Sequence, residues 1–263
     1  MTNTARVRLR SIALPTEHGG WGFTLEPILL GLLVAPTWAG FGLALATSSA
    51  FLARRPVKLV STDLVRKRRL PRTRVALWFS LGYGAPALAG LAVAIATRNG
   101  PFWWPLIVAV PFAAVSLQAD AQSRNRGLLP ELAGGIAMGS AAAAIAMAAD
   151  WDWAAAFGLW LVLAARSFAA IIFARAQVRR AKHQPFDRSG VVAAQVAAML
   201  VVGLAAALAI VPLLSALAIL LLGFGAFYGL ARPPVPAKTV GWTQMVFGFM
   251  VVVLTAVGVA TGW

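Results

Sequence analysis

Long apolar stretches separated by short polar connections run along almost the whole chain, and this pattern predicts helices that cross a membrane. An α-helix needs about 20 apolar residues to span a bilayer. The apolar stretch around Pro212 is about twice that length, so it is predicted as two helices that meet at this proline. The predicted spans are residues 21–35, 38–53, 75–97, 106–119, 128–149, 154–174, 191–211, 213–230 and 242–263. The expected fold class is an all-α polytopic membrane protein with about nine transmembrane helices.

The basic residues fall almost entirely on one side of these predicted helices. The chain has 23 Lys and Arg residues, and only Arg98 lies in a connection on the other side. Positively charged segments resist translocation and meet an anionic leaflet on the cytoplasmic side. We therefore expect a multi-pass protein of the cytoplasmic membrane, with its N-terminus in the cytoplasm and its C-terminus outside. A different number of helices would scatter the charges over both sides.

Composition agrees with this prediction and limits the number of domains. Hydrophobic residues make up 60% of the 263 residues and charged residues only 12%, which excludes an ordinary soluble domain. Residues 1–20 are predicted as a basic cytoplasmic segment, and residues 21–263 as a single transmembrane helical domain. The net charge of +15 does not indicate nucleic-acid binding, because the basic residues cluster at predicted helix ends. A chain without Cys has no disulfide, thiolate nucleophile or Cys-ligated metal.

Three polar residues at the first predicted helix are the candidates for proton transfer or substrate recognition. Glu17 and His18 lead directly into the helix, and Glu26 lies about a turn and a half inside it. A carboxylate at that depth is either a salt-bridged or protonated structural group, or it contacts a substrate or ion. His18 is either a hydrogen-bonding residue of the membrane interface or, if the protein is an enzyme, the alternative to Glu17 for proton transfer.

Basic residues at a spacing of four form two clusters. Arg54 and Lys58 follow the second predicted helix, and Arg175, Arg179 and His183 follow the sixth. A spacing of four places side chains on one face of a helix. These residues are either orientation signals that contact lipid headgroups, or they bind a specific anionic ligand.

Arg166 differs from the other basic residues because it lies within the sixth predicted span. An Arg at that depth must extend to the interface, pair with an acid such as Glu26 or Glu131, or face an aqueous cavity. Asp120 and Arg124 are also four residues apart, which is typical of an ordinary helical ion pair.

The opening of the chain resembles the YwiC-like integral membrane family. The residues that carry this resemblance are Glu17-His18-Gly19-Gly20-Trp21, Glu26-Pro27 and Leu29-Leu30-Gly31, and the basic segments 54–74 and 166–188 also fit. The resemblance implies a membrane-embedded helical fold over most of the chain. It does not imply a particular reaction.

More distantly, the chain is similar to the UbiA superfamily of intramembrane prenyltransferases. The similarity rests on nine predicted helices, on polar clusters after helices 2 and 6, and on the segment 118–126 that leads into Gly134, Gly135 and Gly139. In that superfamily, Asp-rich motifs at the two clusters hold magnesium, which binds an isoprenyl diphosphate. Here the clusters keep only Asp63 and Asp187. Magnesium sites usually need carboxylates close together, so no metal site is predicted, and the cofactor is left open with magnesium as one alternative.

Guanidinium groups bind phosphate bidentately without a metal. Together with the resemblance, this favours a cationic pocket for the headgroup of a phosphorylated isoprenoid or another anionic lipid. The predicted substrate-binding residues are Arg54, Lys58, Asp63, Arg124, Arg166, Arg175, Arg179, Arg180 and His183, and the predicted catalytic residues are Glu17, His18 and Glu26.

Three classes of function are compatible with these residues. The first is a transferase or lipid-binding protein without the usual magnesium motifs, with membrane lipids as its partners. The second is a transporter or lipid-handling protein in which Glu26 and Arg166 form a charge pair that opens when an anion or proton enters. The third is a non-catalytic subunit of a membrane complex.

Overall fold

The computed structural model of the chain describes residues 9–14, 18–67, 70–98, 100–122 and 127–262. The regular secondary structure of these residues is entirely helical. The helices are α1 (Leu9–Ala13), α2 (His18–Val34), α3 (Trp38–Val65), α4 (Pro71–Thr97), α5 (Trp104–Ala121), α6 (Leu128–Met147), α7 (Trp153–Ala181), α8 (Arg188–Ala207), α9 (Leu213–Ala231) and α10 (Ala237–Thr261). The prediction of an all-α fold is therefore confirmed.

Each predicted span corresponds to one of the helices α2 to α10, but several helix ends differ from the prediction. The apolar stretch around Pro212 is divided as expected, because α8 ends at Ala207 and Pro212 caps the start of α9. Helices α3 and α7 extend well beyond their apolar parts, and both begin at a side-chain cap, Thr37 for α3 and Asp152 for α7. Basic residues that were predicted to follow these helices consequently lie on them: Arg54, Lys58, Arg175, Arg179 and Arg180.

Seven of the described helices, α4 to α10, are long and apolar enough to cross a membrane. Helix α2 is shorter, with 17 residues, and the second half of α3 carries charged side chains. These properties make the chain a multi-pass membrane protein.

The centre of the bundle is formed by α2, α6, α7 and α10, while α4 packs mainly against α3 and α5 mainly against α6. Helix α6 can occupy the centre because small residues allow its neighbours to approach closely. A Cβ atom at Gly139 would lie 2.9 Å from the ring of Trp160, whose indole N–H donates to the carbonyl of Ile136 at 2.7 Å. The hairpin of α3 and α4 is equally close, because Gly42 and Gly90 face each other's backbone.

Ion pairs between helices show how the ends of the bundle are arranged. Asp63, near the end of α3, binds Arg72 at the start of α4, with 2.9 Å between Oδ1 and Nη2. At the other end, Arg98 after α4 pairs with Asp150 in the α6–α7 turn. We call the end that contains Asp63 the basic end. Its described basic residues include Arg54, Lys58, Arg72, Arg175, Arg179, Arg180, Lys182, Arg188, Arg232 and Lys238.

Candidate functional site

At the basic end, the carboxylate of Asp120 is shared by two cations from α3. Asp120 lies in the last turn of α5 and is buried, and it pairs with the guanidinium of Arg54. Its second oxygen, Oδ1, lies 3.5 Å from Nζ of Lys58. The spacing of four on α3 therefore brings both cations to one carboxylate, as a shared helical face predicts. Among the described residues, Asp120 thus balances one of the two positive charges that contact it.

The second basic cluster contacts the same pair of helices. Nη1 of Arg175 on α7 donates to Oε2 of Glu131 at 2.9 Å, and Glu131 lies in the first turn of α6. Asp120 and Glu131 thus stand on the two sides of the α5–α6 connection. The hairpin of α5 and α6 binds one cluster with each of its helices, so both clusters lie at one end of the bundle.

The remaining basic residues of α7 differ in their surroundings. Arg179, one turn beyond Arg175, is exposed, and His183 is exposed just after the helix, with a left-handed backbone (φ 53°). Arg180 instead caps the end of α9. Its Nη1 donates to the carbonyl of Gly229 at 3.0 Å and its Nη2 to that of Arg232 at 2.8 Å. The structure therefore uses Arg180 to join α7 to α9, which a linear sequence does not reveal.

The two acids of the predicted loops are held by local hydrogen bonds. Oδ2 of Asp63 accepts from the hydroxyl of Thr73 at 2.7 Å, in addition to the pair with Arg72. Asp187 caps the start of α8, where hydrogen bonds from the backbone N–H of Gly190 and the hydroxyl of Ser189 hold its carboxyl pKa below the ordinary value.

This arrangement does not fit a paired-magnesium clamp. Within the described residues, no three His, Asp or Glu side chains form a group that could hold a metal ion. Asp63 accepts from groups at the start of α4, and Asp187 accepts from its own turn. Each acid thus serves a different helix end, whereas a bridged diphosphate would need carboxylates that converge.

A separate polar site lies inside the bundle, about two turns of α10 away from the basic end. Oε1 of Glu26 on α2 contacts Nη2 of Arg166 on α7 at 2.7 Å, and both side chains are only 2% exposed. The same Nη2 donates to the backbone carbonyl of Gln244 on α10 at 2.7 Å. One of the pairings that the sequence allowed for Arg166 is therefore present. We call Glu26, Arg166, Gln244 and Gly248 the buried charge centre.

Gly248 belongs to this centre because it makes room for the charges. A Cβ atom at Gly248 would overlap Oε1 of Glu26 and Nη2 of Arg166, so any larger residue requires the pair to move. The guanidinium of Arg166 also lies over the ring of Phe23, 5.0 Å from its centroid. Helices α2, α7 and α10 thus meet around one ion pair.

Helix α7 separates the two sites. Arg166 and Arg175 are nine residues apart, which corresponds to two and a half turns and places them on opposite faces. One face of α7 meets Glu131 of α6, and the other meets Glu26 and the carbonyl of Gln244. The predicted substrate-binding set is therefore divided between two places.

Sequence reasoning gave too little weight to Asp120, Gln244 and Gly248. Asp120 ends an apolar helix, and its spacing suggested only a pair with Arg124. Gln244 carries a polar amide within the last apolar helix, and such a group can be recognised as a candidate from the sequence. Gly248 cannot, because it resembles any glycine that serves helix packing. Glu17 and Arg124 lie outside the described residues, as does the side chain of His18, whose backbone begins α2.

Two cavities lie away from both sites. One of about 380 Å³ is at the end opposite the basic end, beside Arg98 and Asp150. The other, of about 470 Å³, is an almost entirely apolar groove between α5 and α7, with Phe112, Ile136 and Trp160 in its walls. An apolar groove on the outside of a membrane bundle suits a hydrocarbon chain.

Comparison with known proteins identifies the family of this chain. No curated protein matches this chain. No solved structure matches it either. The model of the YwiC-like protein family matches residues 14–146, which is half of the chain. The matched region includes Glu26, Arg54, Lys58, Asp120 and Glu131. The buried charge centre and the second basic cluster also draw on α7 and α10, beyond the matched region. The chain belongs to the YwiC-like protein family.

Proposed function

We propose that this protein binds an amphipathic lipid or isoprenoid through a phosphate-type headgroup at its basic end. The observation that supports this most is the contact of both basic clusters with the α5–α6 hairpin, through Asp120 and Glu131. The clusters lie on helices α3 and α7, which are distant in sequence. Their arrangement around one hairpin would offer an anion donors from both helices.

The charges of the basic end favour an anion. Asp120 balances one of its two cations, and Glu131 balances Arg175 but not the exposed Arg179. The two carboxylates fix the directions of the guanidinium groups, which reduces the cost of ordering them around a ligand. Guanidinium groups offer phosphate bidentate, charge-assisted hydrogen bonds.

The proposal includes an orientation of the protein in the membrane and a position for the hydrocarbon tail of the lipid. All nine helices from α2 to α10 would cross the cytoplasmic membrane, and the basic end would face the cytoplasm, in agreement with the charge distribution. The hydrocarbon tail would lie along the apolar surface of the bundle, in the manner of a UbiA-like protein without magnesium motifs. Covalent transfer would in addition require proton transfer by Glu17 or His18.

Native mass spectrometry of gently extracted protein tests headgroup binding. Arg175→Ala combined with Arg179→Ala should reduce the retained phosphorylated lipid by about ten-fold or more, because each charge-assisted hydrogen bond contributes about 1.5–3 kcal/mol. Addition of EDTA should leave retention unchanged. The control is Lys182→Ala combined with Arg188→Ala, which removes the same charge from exposed positions at the same end. Equal loss of retained lipid in both double variants would mean that Arg175 and Arg179 attract lipid only through the total charge of the basic end.

A second candidate function is transport, and the buried charge centre favours it. Ionisable groups deep in a membrane bundle are costly and often mark ion or proton pathways. The test uses proteoliposomes with an internal pH-sensitive dye and an imposed pH gradient. Transport predicts a proton flux in the native protein that Glu26→Gln abolishes, because an amide cannot take up and release a proton as a carboxylate does. Equal dye responses in native protein, Glu26→Gln and empty liposomes would contradict proton transport.

A further inference from the structure

The buried charge centre contains polar atoms that its own side chains do not satisfy. Oε1 of Glu26, Nε of Arg166 and Oε1 of Gln244 are all buried without a hydrogen-bond partner among the described residues. Oε1 of Glu26 touches Nη2 of Arg166 at 2.7 Å, but the contact does not have the alignment of a hydrogen bond. Buried polar atoms are nearly always paired with protein or with ordered water.

Pro27 removes a helical backbone donor beside the centre. It lies inside α2 directly after Glu26 and has no N–H, so the carbonyl of Phe23 lacks its usual helical donor. The ring of the same Phe23 contacts the guanidinium of Arg166. Backbone groups freed by a proline in a membrane helix are often satisfied by ordered water.

These atoms define the chemistry of a ligand. The centre holds one positive and one negative charge, so its net charge is zero and it does not offset the cost of burying an added ion. It offers one unused donor, Nε of Arg166, and unused acceptors on Glu26 and Gln244. A small neutral molecule that accepts one hydrogen bond and donates two matches this set, and water has that capacity. We propose that the buried charge centre is a hydrated site that binds water inside the bundle.

Glycines on α10 and α2 indicate the route by which water enters. Gly241 and Gly248 are seven residues apart and share one face of α10. A Cβ atom at Gly248 would meet the ion pair, whereas one at Gly241 would meet no described atom within 4 Å. On α2, a Cβ atom at Gly22 would lie only 3.1 Å from Oε1 of Glu26. Since α10 begins at the basic end, the open position at Gly241 lies between that end and the centre.

The hydrated site is independent of the headgroup proposal. It lies on the face of α7 opposite Arg175, and it uses α2 and α10 rather than α5 and α6. Loss of lipid binding in the Arg175 variants would therefore leave water access unchanged. Loss of water access in variants of the buried charge centre would likewise leave lipid binding unchanged.

The chain has no Cys, so a single introduced thiol can report on water access without background. Gln244→Cys places a thiol at the centre, and Val251→Cys places one on the same face of α10, two turns farther from the basic end, at a position that is 0% exposed. In proteoliposomes, a charged methanethiosulfonate reagent should modify Gln244→Cys at least ten times faster than Val251→Cys. Equal rates would overturn the proposal.

Addition of the reagent to one side at a time tests the route. Lys182→Cys and Arg98→Cys mark the basic end and the opposite end, respectively. Gly241→Cys and Gln244→Cys should react from the side that modifies Lys182→Cys. Reaction of Gln244→Cys only from the Arg98 side would contradict entry from the basic end.

A measurement on the native chain avoids the risk that a variant does not fold. Hydroxyl radicals generated by X-ray radiolysis of bound water oxidise side chains next to that water. Phe23, over Arg166, should be oxidised at least ten times faster than Phe247, which is similarly half-buried but packs on α9. Oxidation of the two rings at the same rate would show that the centre is dry.

Discussion

Arg166→Met is expected to lower the free energy of unfolding by about 3–5 kcal/mol, because it leaves Glu26 as an unpaired charge inside the bundle. Both side chains of the native pair are 2% exposed, and Nη2 of Arg166 lies 2.7 Å from Oε1 of Glu26. Loss of the guanidinium also removes the hydrogen bond to the carbonyl of Gln244. Steric trapping in bicelles measures this free energy directly in a membrane-like medium.

The double variant Glu26→Leu with Arg166→Met separates the ion pair from its packing. Replacement of a buried pair by apolar residues of similar volume is often neutral or stabilising, so the double variant should be more stable than either single variant. The control is Arg98→Met, whose partner Asp150 is 71% exposed. An exposed pair of this kind contributes at most about 1 kcal/mol. If the loss of stability in the double variant equalled the sum of the losses in the two single variants, Glu26 and Arg166 would not be coupled.

Gly248→Leu is expected to disrupt the meeting point of α2, α7 and α10. Its Cβ atom would lie 2.5 Å from Cδ of Glu26 and would overlap Nη2 of Arg166, so the side chain cannot enter without moving the ion pair. Overpacking costs about 1–3 kcal/mol, and separation of the buried pair would add to this cost. The total should approach the whole stability of the protein, so that little folded protein is recovered by size-exclusion chromatography after extraction.

Gly241→Leu is the matched control on the same face of α10. No described atom lies within 4 Å of its Cβ position, so the same substitution should change the stability by about 0.5 kcal/mol or less. Comparable loss of folded protein in both variants would mean that α10 tolerates leucine poorly in general. In that case the loss at Gly248 would not report on the ion pair.

Much of the helical architecture could be predicted from the chain because apolar length is a local property. The nine apolar stretches became α2 to α10, and Pro212 divided the longest stretch between α8 and α9. The helix ends were less predictable, since α3 and α7 continue into basic segments that carry no apolar signal. Local caps and contacts with neighbouring helices, rather than hydropathy, decide where those helices end.

The candidate sites could be predicted only in part. A carboxylate and an Arg inside apolar helices each need compensation, so Glu26 and Arg166 were recognisable, and their pairing was one of few solutions. The partner of Arg54 and Lys58 was not recognisable, because Asp120 lies on a helix distant in sequence and had a nearer candidate partner in Arg124. Asp63 and Arg180 looked suited to a ligand, but both contact neighbouring helix ends.

The sequence by itself determined that this is a helical, multi-pass membrane protein, that its cations gather at one end, and that charged groups lie within its apolar helices. These properties follow from the cost of placing charge in hydrocarbon, which acts on each segment separately. Only the tertiary structure decided which charges meet. Helix α7 directs Arg175 towards α6 and Arg166 towards α2 and α10, because nine residues turn a helix by half a revolution beyond two full turns. The division into two sites is therefore set by which helices pack against each face of α7, and that choice depends on close contacts between helices far apart in the chain.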